Sequence, residues 1–383
     1  MAYAAAGSVS TDSGTPHIWA RNSDGSVSLG SPYVLTGLTN GTTYSFSING
    51  RTDSGPGGAG SPSIAVTPRP GGSTWTMGGT TMGSGALRSV AYRMVTTTSG
   101  TTVTNTPTYL AVGDANALYK SVDGKSWTPV SGATGDFKSS VYLNTTVGFV
   151  VVGGGGAAYH STDLASWNAG SSGTSQTLHA VASNGAVVVA VGDNGTIRYS
   201  SDGGTWTAAS SVPTTQALYG VSYSSAGLWL AVGANGTLLT SSDGSTWTDK
   251  TSSIATLVSG KTLRSVASTL LTSVTAVTSG VYSYAIVGDA GTVLTSRDGT
   301  NWSAVTPTPT SADLTAVVGS ASQFLAVGTG GTVITSSDGT TWAAPTTLQA
   351  GGSGIGALGL VFAPSPQAQY VVVGPAGASA NSH

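Results

Sequence analysis

The sequence predicts an all-β chain whose larger part is a seven-bladed β-propeller closed by an N-terminal strand, with a small β segment ahead of it. Three observations carry that expectation. First, a glycine ending a Val-Gly pair is followed fourteen residues later by a tryptophan six times, at Gly113/Trp127, Gly153/Trp167, Gly192/Trp206, Gly233/Trp247, Gly288/Trp302 and Gly328/Trp342. A step that regular marks one supersecondary unit stacked against copies of itself. Second, the 383 residues include 56 glycines and 15 acidic residues, every one of them aspartate. Missing glutamate, a strong helix former, beside abundant Thr, Ser and Val, argues for strands. Third, each copy of the repeat reads as four short strands separated by turn residues.

Residues 1–70 form the first expected domain. Leu35 to Ile48, which includes Asn40-Gly41-Thr42-Thr43-Tyr44-Ser45-Phe46, resembles the tyrosine-corner region of a fibronectin type III domain, and Ser61 to Pro68 fits that fold's last strand. Only about 30 residues precede this half, too few for the remaining strands of such a sandwich. The segment is therefore expected either to be a small self-contained variant or to be completed by a partner chain, as a docking segment with open strand edges.

Residues 71–383 form the second. In the unit Leu218 to Thr248, strands are expected at Leu218–Val221, Leu228–Val232 and Thr237–Thr240, with a fourth beginning at Trp247. Gly233-Ala234-Asn235-Gly236 and Ser241-Ser242-Asp243-Gly244-Ser245-Thr246 supply the turns, since Gly, Asn and Asp accept positive φ. Four antiparallel strands per roughly 40 residues is the size of a propeller blade. The Val-Gly element occurs a seventh time at Val373-Gly374, with no tryptophan after it, whereas Trp75 stands in a matching context at the other end. Residues 73–79 are thus expected to give the last blade its outer strand, closing the ring and removing most of its open edge.

The segments Ser121-Val122-Asp123-Gly124-Lys125-Ser126-Trp127, Ser201-Asp202-Gly203-Gly204-Thr205-Trp206, Ser242-Asp243-Gly244-Ser245-Thr246-Trp247 and Ser337-Asp338-Gly339-Thr340-Thr341-Trp342 resemble Asp-box repeats of sialidases and other bacterial propellers. The Gly-Asp-x-Gly-Thr turns before them resemble those of photosystem II assembly-factor propellers. The resemblance covers about residues 71–377 and departs from the sialidase box in two ways: the box is one residue shorter, and blade 2 has Leu164 where the others have glycine. It implies a propeller nearer the non-catalytic relatives, and one propeller architecture hosts many functions.

Candidate sites follow from what repeats and what varies. Asp123, Asp202, Asp243, Asp298 and Asp338 fall one per blade, so they are expected to cap their own turns, with the tryptophan packed between blades. One first-strand position varies freely: Arg88, Ser139, His179, Tyr219, Arg264, Thr315 and Gly356. These residues should approach the mouth of the central channel, and Arg88, His179, Tyr219 and Arg264 are the candidate ligand-binding residues. Blades 1 and 5 carry insertions: from the first-strand valine to the Val-Gly glycine takes 11 or 12 residues in blades 2, 3, 4 and 6, but 23 from Val90 to Gly113 and 22 from Val266 to Gly288. They read as lengthened hairpins turning at Ser99-Gly100 and Ser279-Gly280, candidate docking elements that antiparallel order places on the Asp-box face, opposite the channel mouth.

Composition narrows the function further. Charged residues are 7% of the chain, against about 25% in ordinary soluble domains, and the net charge is −2. With 13 Lys and Arg scattered singly, no basic stripe exists for a phosphate backbone, so nucleic acid is not an expected partner. No apolar run is long enough to span a membrane, and the opening residues lack the basic stretch and apolar run of a secretory signal. Cysteine is absent, and His17, His160, His179 and His383 have no short metal-ligand spacing, so no metal or other cofactor is expected. Sialidases use an arginine triad and a Tyr/Glu pair; without glutamate the chain is read as non-catalytic, a sialidase-like glycosidase being the disfavoured alternative. The composition is similar to that of tailed-phage fibre, tail and head-decoration proteins. The expectation is a virion component, part of an oligomeric assembly, docked through residues 1–70 and the two hairpins and touching host-surface glycans. The alternative is a bacterial assembly factor or adhesin, extracellular or on the cell surface, that binds a protein client.

Overall fold

The structure, a computed structural model, divides into two units, Met1–Pro70 and Gly71–His383. In the first it describes three short antiparallel pairs: Ser10–Asp12 with Thr15–His17, Tyr44–Phe46 with Ile64–Val66, and Arg51–Thr52 with Gly55–Pro56. The rest of the fibronectin-like stretch, including Leu35, Ile48 and Pro68, lies outside the described residues. In the second unit residues 75–78, 82–99, 102–271, 281–350, 353–354, 356–364 and 368–382 are described.

Among the described residues of the second unit, seven four-stranded antiparallel sheets carry the fold, with one further short pair, Gln349–Ala350 with Ser353–Gly354. In blades 1–6 the strands run from inner to outer in chain order, beginning at Leu87, Phe137, Leu178, Leu218, Leu263 and Leu314. Each inner strand packs against those of its two neighbours, and the inner strand of blade 7 meets that of blade 1, which makes the array a ring. Blade 7 is assembled from Gly359–Ala363, Gln369–Val373, Ser379–Ser382 and, as its outer strand, Trp75–Met77. Met77 stands opposite Ala380, Thr76 opposite Asn381 and Trp75 opposite Ser382. The closing strand therefore falls within the expected residues 73–79.

The core lies between the sheets rather than inside any one of them. Second strands such as Phe149–Val152 and Trp229–Val232 are buried on both faces, which is why they read as unbroken apolar runs. Val150 and Val152 of blade 2 meet Val188, Ala190 and Trp206 of blade 3. Each fully buried side chain of this size contributes about 1.5–3 kcal/mol. Four residues before the Val-Gly glycine sits Tyr109, Phe149, Trp229, Tyr284, Phe324 or Tyr370, with Val188 in blade 3, and all are buried. Some of these rings also bond across blades: Gln369 Nε2 donates to the Tyr109 hydroxyl at 2.8 Å, and Ser224 and Tyr284 hydroxyls are 2.9 Å apart.

The Val-Gly glycine has a close-approach cause. Its backbone is extended, but a Cβ at Gly153, Gly233 or Gly328 would fall onto the carbonyl oxygen of Asp136, Ala217 or Asp313, just before the inner strand. The same carbonyls accept the N–H of the residue after the glycine, Gly154, Ala234 or Thr329, at 2.9 Å. Only glycine leaves the second strand this close to the start of the first.

The tryptophan end is held by a capped turn. Asp243 Oδ1 accepts the N–H groups of Ser245 and Thr246 at 2.8 Å, Ser241 Oγ donates to it at 2.9 Å, and Ser241 Oγ accepts the Gly244 N–H at 2.8 Å. Asp123, Asp202, Asp298 and Asp338 make the equivalent bonds, and so does Asp163 in blade 2. Trp206, Trp247 and Trp302 close the turn by donating Nε1–H to the carbonyl of its glycine at 3.1–3.2 Å. In blade 2 Leu164 occupies the glycine position with φ 60°, 3% exposed, its side chain packed with Leu110, Phe149 and Val151.

Three elements enlarge the ring. Blade 1 carries the expected long hairpin, Leu87–Ser99 paired with Thr102–Gly113 down to Ser99 opposite Thr102; Gly100 lies outside the described residues. Arg93 fastens its base to blade 2, 5.4 Å from the ring centres of Tyr142 and Phe149 and bonded to the Thr162 carbonyl at 3.1 Å. In blade 5 the pairing extends to Leu271 opposite Val281, with Ser279 and Gly280 outside the described residues. Between blades 4 and 5 the chain forms an α-helix, Thr251–Val258, that the sequence reading leaves as loop. Ile254 and Val258, four residues apart, are buried against Leu230, Leu238 and Leu263, and the helix ends on Ser259 in the left-handed region.

Candidate functional site

Every inner strand of blades 1–6 is bulged directly after its buried leading residue: between Leu87 and Ser89, Phe137 and Ser139, Leu178 and Ala180, Leu218 and Gly220, Leu263 and Ser265, and Leu314 and Ala316. A bulge inserts one residue into the ladder and re-aims its side chain. The inserted residues are Arg88, Lys138, His179, Tyr219, Arg264 and Thr315. Leu358 takes the same place in blade 7, its N–H on the Val373 carbonyl at 2.9 Å. All seven line one cavity of about 380 Å³ at the end of the channel.

Four of the candidate residues, Arg88, His179, Tyr219 and Arg264, thus meet around one opening, and Thr315 joins them. Two expected ring positions are displaced. In blade 2 the fully buried leading residue is Phe137, so Lys138 takes the bulge and Ser139 sits one step deeper. In blade 7 the leading place falls to Ala357, 1% exposed, so Leu358 rather than Gly356 reaches the cavity.

Below the bulged residues the cavity narrows for a steric reason. The next position is small in every blade: Ser89, Ser139, Ala180, Gly220, Ser265, Ala316 and Gly359. A Cβ on Gly220 would press on the Arg264 carbonyl and the Ser265 Cα at 3.0 Å, and one on Gly359 on the Ser89 Cα at 2.7 Å. Deeper still, Val90, Val181, Val221, Val266, Val317 and Leu360 make an apolar floor beside Ser140.

Basic and acidic side chains at the mouth are paired blade by blade. The residue after the Val-Gly glycine is Asp114, Asp193 or Asp289 in the blades whose bulge carries Arg88, His179 or Arg264. Arg264 Nε donates to Asp289 at 2.6 Å, and His179 Nε2 lies 2.7 Å from Asp193 and 5.0 Å, ring to ring, from Tyr219. Where that residue is Ala234, Thr329 or Pro375, the bulge carries the uncharged Tyr219, Thr315 or Leu358. Blade 2 breaks the rule, because Gly154 follows its glycine and Lys138 reaches over to Asp114 at 2.7 Å. Asp114 also accepts Arg88 Nε at 3.0 Å and Nη2. Those bonds, Arg88 first, hold the Asp114 carboxyl below the usual carboxylate range against its partial burial. Neither Lys138 nor the three aspartates follow from the sequence reading, although the coincidence of Gly-Asp with a basic first-strand residue in blades 1, 3 and 5 was there to find them.

The remaining loop aspartates are caps as well. Asp136 accepts the Ala115 N–H and Asp313 the Ala290 N–H, both at 2.8 Å, where Ala115 and Ala290 hold φ of 56° and 50°. Asp249 accepts the Thr251 N–H at the helix start at 2.7 Å. Among the described residues no three His or Asp side chains are grouped to hold a metal ion, and no helix is long and apolar enough to cross a membrane.

No known protein family matches the sequence, and no curated protein does. Solved structures match over 81% of this chain. YCF48 bound to a D1 peptide does so with a TM-score of 0.55 and 14% identity over 94% of its own chain. YCF48 from Cyanidioschyzon merolae gives 0.55 and 17% over 99%, and the WD40 β-propeller domain of Doa1 gives 0.58 and 11% over 97%. The first of these holds a peptide. At such identities the likeness shows one thing about this chain, that it shares the propeller fold.

Proposed function

We propose that this protein is a non-catalytic recognition scaffold whose channel mouth binds a polypeptide segment. The observation that carries the reading is the bulge. A scaffold that repeats its leading residues, its glycines and its capped turns re-aims one freely varying side chain per blade into a single cavity. About 380 Å³ with a polar rim over an apolar floor suits the side chains of an inserted segment. The peptide-bound YCF48 structure supports a polypeptide over a small metabolite. With no glutamate and the propeller's aspartates engaged in turns, caps and contacts with basic side chains, no pair of free carboxylates is left for glycoside hydrolysis, which favours binding.

The direct test is selection from a random twelve-residue peptide display library on the full chain, with a triple Arg88→Ala, Tyr219→Ala, Arg264→Ala protein as counter-selection. Peptides that enrich on the native chain and lose at least tenfold in affinity on the variant are expected. No enrichment, or equal affinity for both proteins, overturns the reading; enrichment of oligosaccharides on a glycan array instead would move the partner to host-surface glycans. The scarcity of charge and the lack of glutamate favour a virion setting, with residues 1–70 and the blade 1 and blade 5 hairpins as attachment points to the assembly. Absence of the protein from purified particles would refute that location without touching the peptide-binding reading.

A further inference from the structure

On the ring face opposite the channel mouth, the repeat makes one cleft exceptional. At four box glycines a Cβ would press on the preceding blade: 2.8 Å from Val371 at Gly124, 3.0 Å from His160 at Gly203, 2.9 Å from Val189 at Gly244 and 2.5 Å from Leu228 at Gly299. At Gly339 of blade 6 nothing would lie nearer than 3.6 Å. Blade 5 causes the gap by placing short residues where other blades place long ones, Ser283 in the position of Leu228 and Thr295 in that of His160. Between the boxes of blades 5 and 6 this leaves a cavity of about 300 Å³, with no apolar residue in its lining. Ser283 and Thr295 are 5% and 8% exposed, and their hydroxyls, like that of Ser303, bond no other group among the described residues. Arg297 also lines the cavity without an ion pair among those residues, where the other boxes carry Val122, Thr162, Ser201, Ser242 or Ser337. From blade 6, Asp338 gives Oδ1 to the Thr340 and Thr341 N–H groups and keeps Oδ2 as an open acceptor.

These groups select a ligand class. Hydroxyls that donate and accept, a guanidinium that only donates and a carboxylate oxygen that only accepts call for a partner offering both functions several times in a small space. An ammonium group only donates, and among the described residues no three His or Asp side chains gather for a metal ion. An anion would face Asp298 and Asp338 against the single Arg297, and a lipid or an apolar side chain finds no apolar residue to cover it. We infer that the cleft binds one pyranose ring of a neutral glycan, whose hydroxyls bond Arg297, Asp338 and the hydroxyls of Ser283 and Thr295. About 300 Å³ lies at the small end of ligand sites, the scale of a single ring. The cleft holds a sugar without cleaving it. The Asn301 N–H foremost keeps the Asp298 carboxyl below the usual carboxylate range, and the N–H groups of Thr341 and Thr340 keep Asp338 there against its burial, so neither is held protonated as the acid that hydrolysis needs. The inference stands apart from the polypeptide reading of the channel mouth and does not depend on it.

The test is saturation-transfer NMR on the full chain with the methyl glycosides of glucose, galactose, mannose, rhamnose and N-acetylglucosamine. Each is used at about 10 mM, which nearly saturates a site with a Kd of about 1 mM. Glycerol and N-acetyl-lysine methylamide serve as controls. Saturable transfer to at least one glycoside and to neither control is expected. Ser283→Leu, which copies Leu228 of blade 4, fills the cleft and should weaken that binding at least tenfold without lowering the melting temperature. Thr295→Val removes one hydroxyl at nearly constant shape and should weaken it about threefold to tenfold, which keeps the test decisive if the filled variant fails to fold. Transfer to no glycoside, transfer undiminished in both variants, or a stronger response to the lysine derivative overturns the inference. So does binding that survives Ser283→Leu but disappears in the Arg88→Ala, Tyr219→Ala, Arg264→Ala protein, which would place the sugar at the channel mouth.

Discussion

Leu164 offers a test in which two large effects oppose each other and their order can be worked out beforehand. Its backbone sits at φ 60°, where the equivalent turns in other blades have Gly124, Gly203, Gly244, Gly299 and Gly339 at φ of 70–78°. That conformation costs a non-glycine residue about 1–2 kcal/mol. Against it stands a side chain 3% exposed between blades 1 and 2, among Leu110, Phe149 and Val151. Truncating it to alanine forfeits about 3 kcal/mol and relieves none of the strain. Truncating it to glycine forfeits the same burial and adds about 0.5–1 kcal/mol of backbone entropy, but recovers about 1–2 kcal/mol of strain. Both variants are therefore destabilised, and Leu164→Gly should be about 0.5–1 kcal/mol more stable than Leu164→Ala, the reverse of their order in an ordinary strand. Urea unfolding of residues 71–383 by tryptophan fluorescence resolves a difference of that size in the midpoint. Alanine equal to or above glycine would refute the account of the strained turn. A glycine variant more stable than the native protein would refute the account of the burial.

The other expectations concern the turns, the close approach and the closure. Gly233→Ala should cost at least 2 kcal/mol, because a Cβ there meets the Ala217 carbonyl while the Ala234 N–H bond to that same oxygen resists any shift; a loss under 0.5 kcal/mol in urea titration contradicts that. Asp243→Ala should cost about 1 kcal/mol through the lost caps on Ser245 and Thr246, and Asp243→Asn distinctly less, as the amide oxygen still accepts; equal losses would mean that the carboxylate, not the cap, matters. The N–H groups of Ser166 and Ala165 hold the Asp163 carboxyl down to about 2, and those of Thr341 and Thr340 do the same for Asp338 against its burial, also to about 2. Because the folded state favours the ionised form, this stability is complete above about pH 4, the unfolded value, and is lost as pH falls through about 2. A melting temperature flat from pH 5 to pH 2.5 would exclude it. Deleting residues 1–78 should lower the melting temperature and promote self-association by baring the edge of Ser379–Ser382; a monomer of unchanged stability by light scattering and calorimetry would show that the closing strand is dispensable.

The blades were legible because their constraints are local and severe. A glycine where a Cβ would meet a carbonyl, and an Asp-Gly turn where the carboxylate caps two N–H groups, leave a residue signature in every copy. Even the closing strand was readable, since Gly72-Ser73-Thr74-Trp75 repeats the tryptophan end of the capped turn out of place. The helix Thr251–Val258 was not, because eight residues with Ile254, Leu257 and Val258 spaced by three and one resemble any short apolar loop; its place is set by packing on Leu230 and Leu263. The mouth was legible only in part. Its ring depends on which residue leads the inner strand, and Phe137 and Ala357 take that role through burial that an isolated strand does not reveal. The carboxylates Asp114, Asp193 and Asp289 lie 14 to 26 residues from their partners, a distance that only the hairpin brings within bonding range.

The outer strand of blade 7 gives the ring an unusual timetable. Trp75–Met77 leaves the ribosome about 300 residues before its partner Ser379–Ser382 exists, and at ordinary translation speeds of about 5–20 residues per second that wait lasts about 15–60 s. Throughout it six blades can stack in sequence while the ring's first strand stays unmatched. Completion is a single long-range closure, slow by topology, so the newborn chain is most exposed to mispairing at the moment when it is most nearly finished.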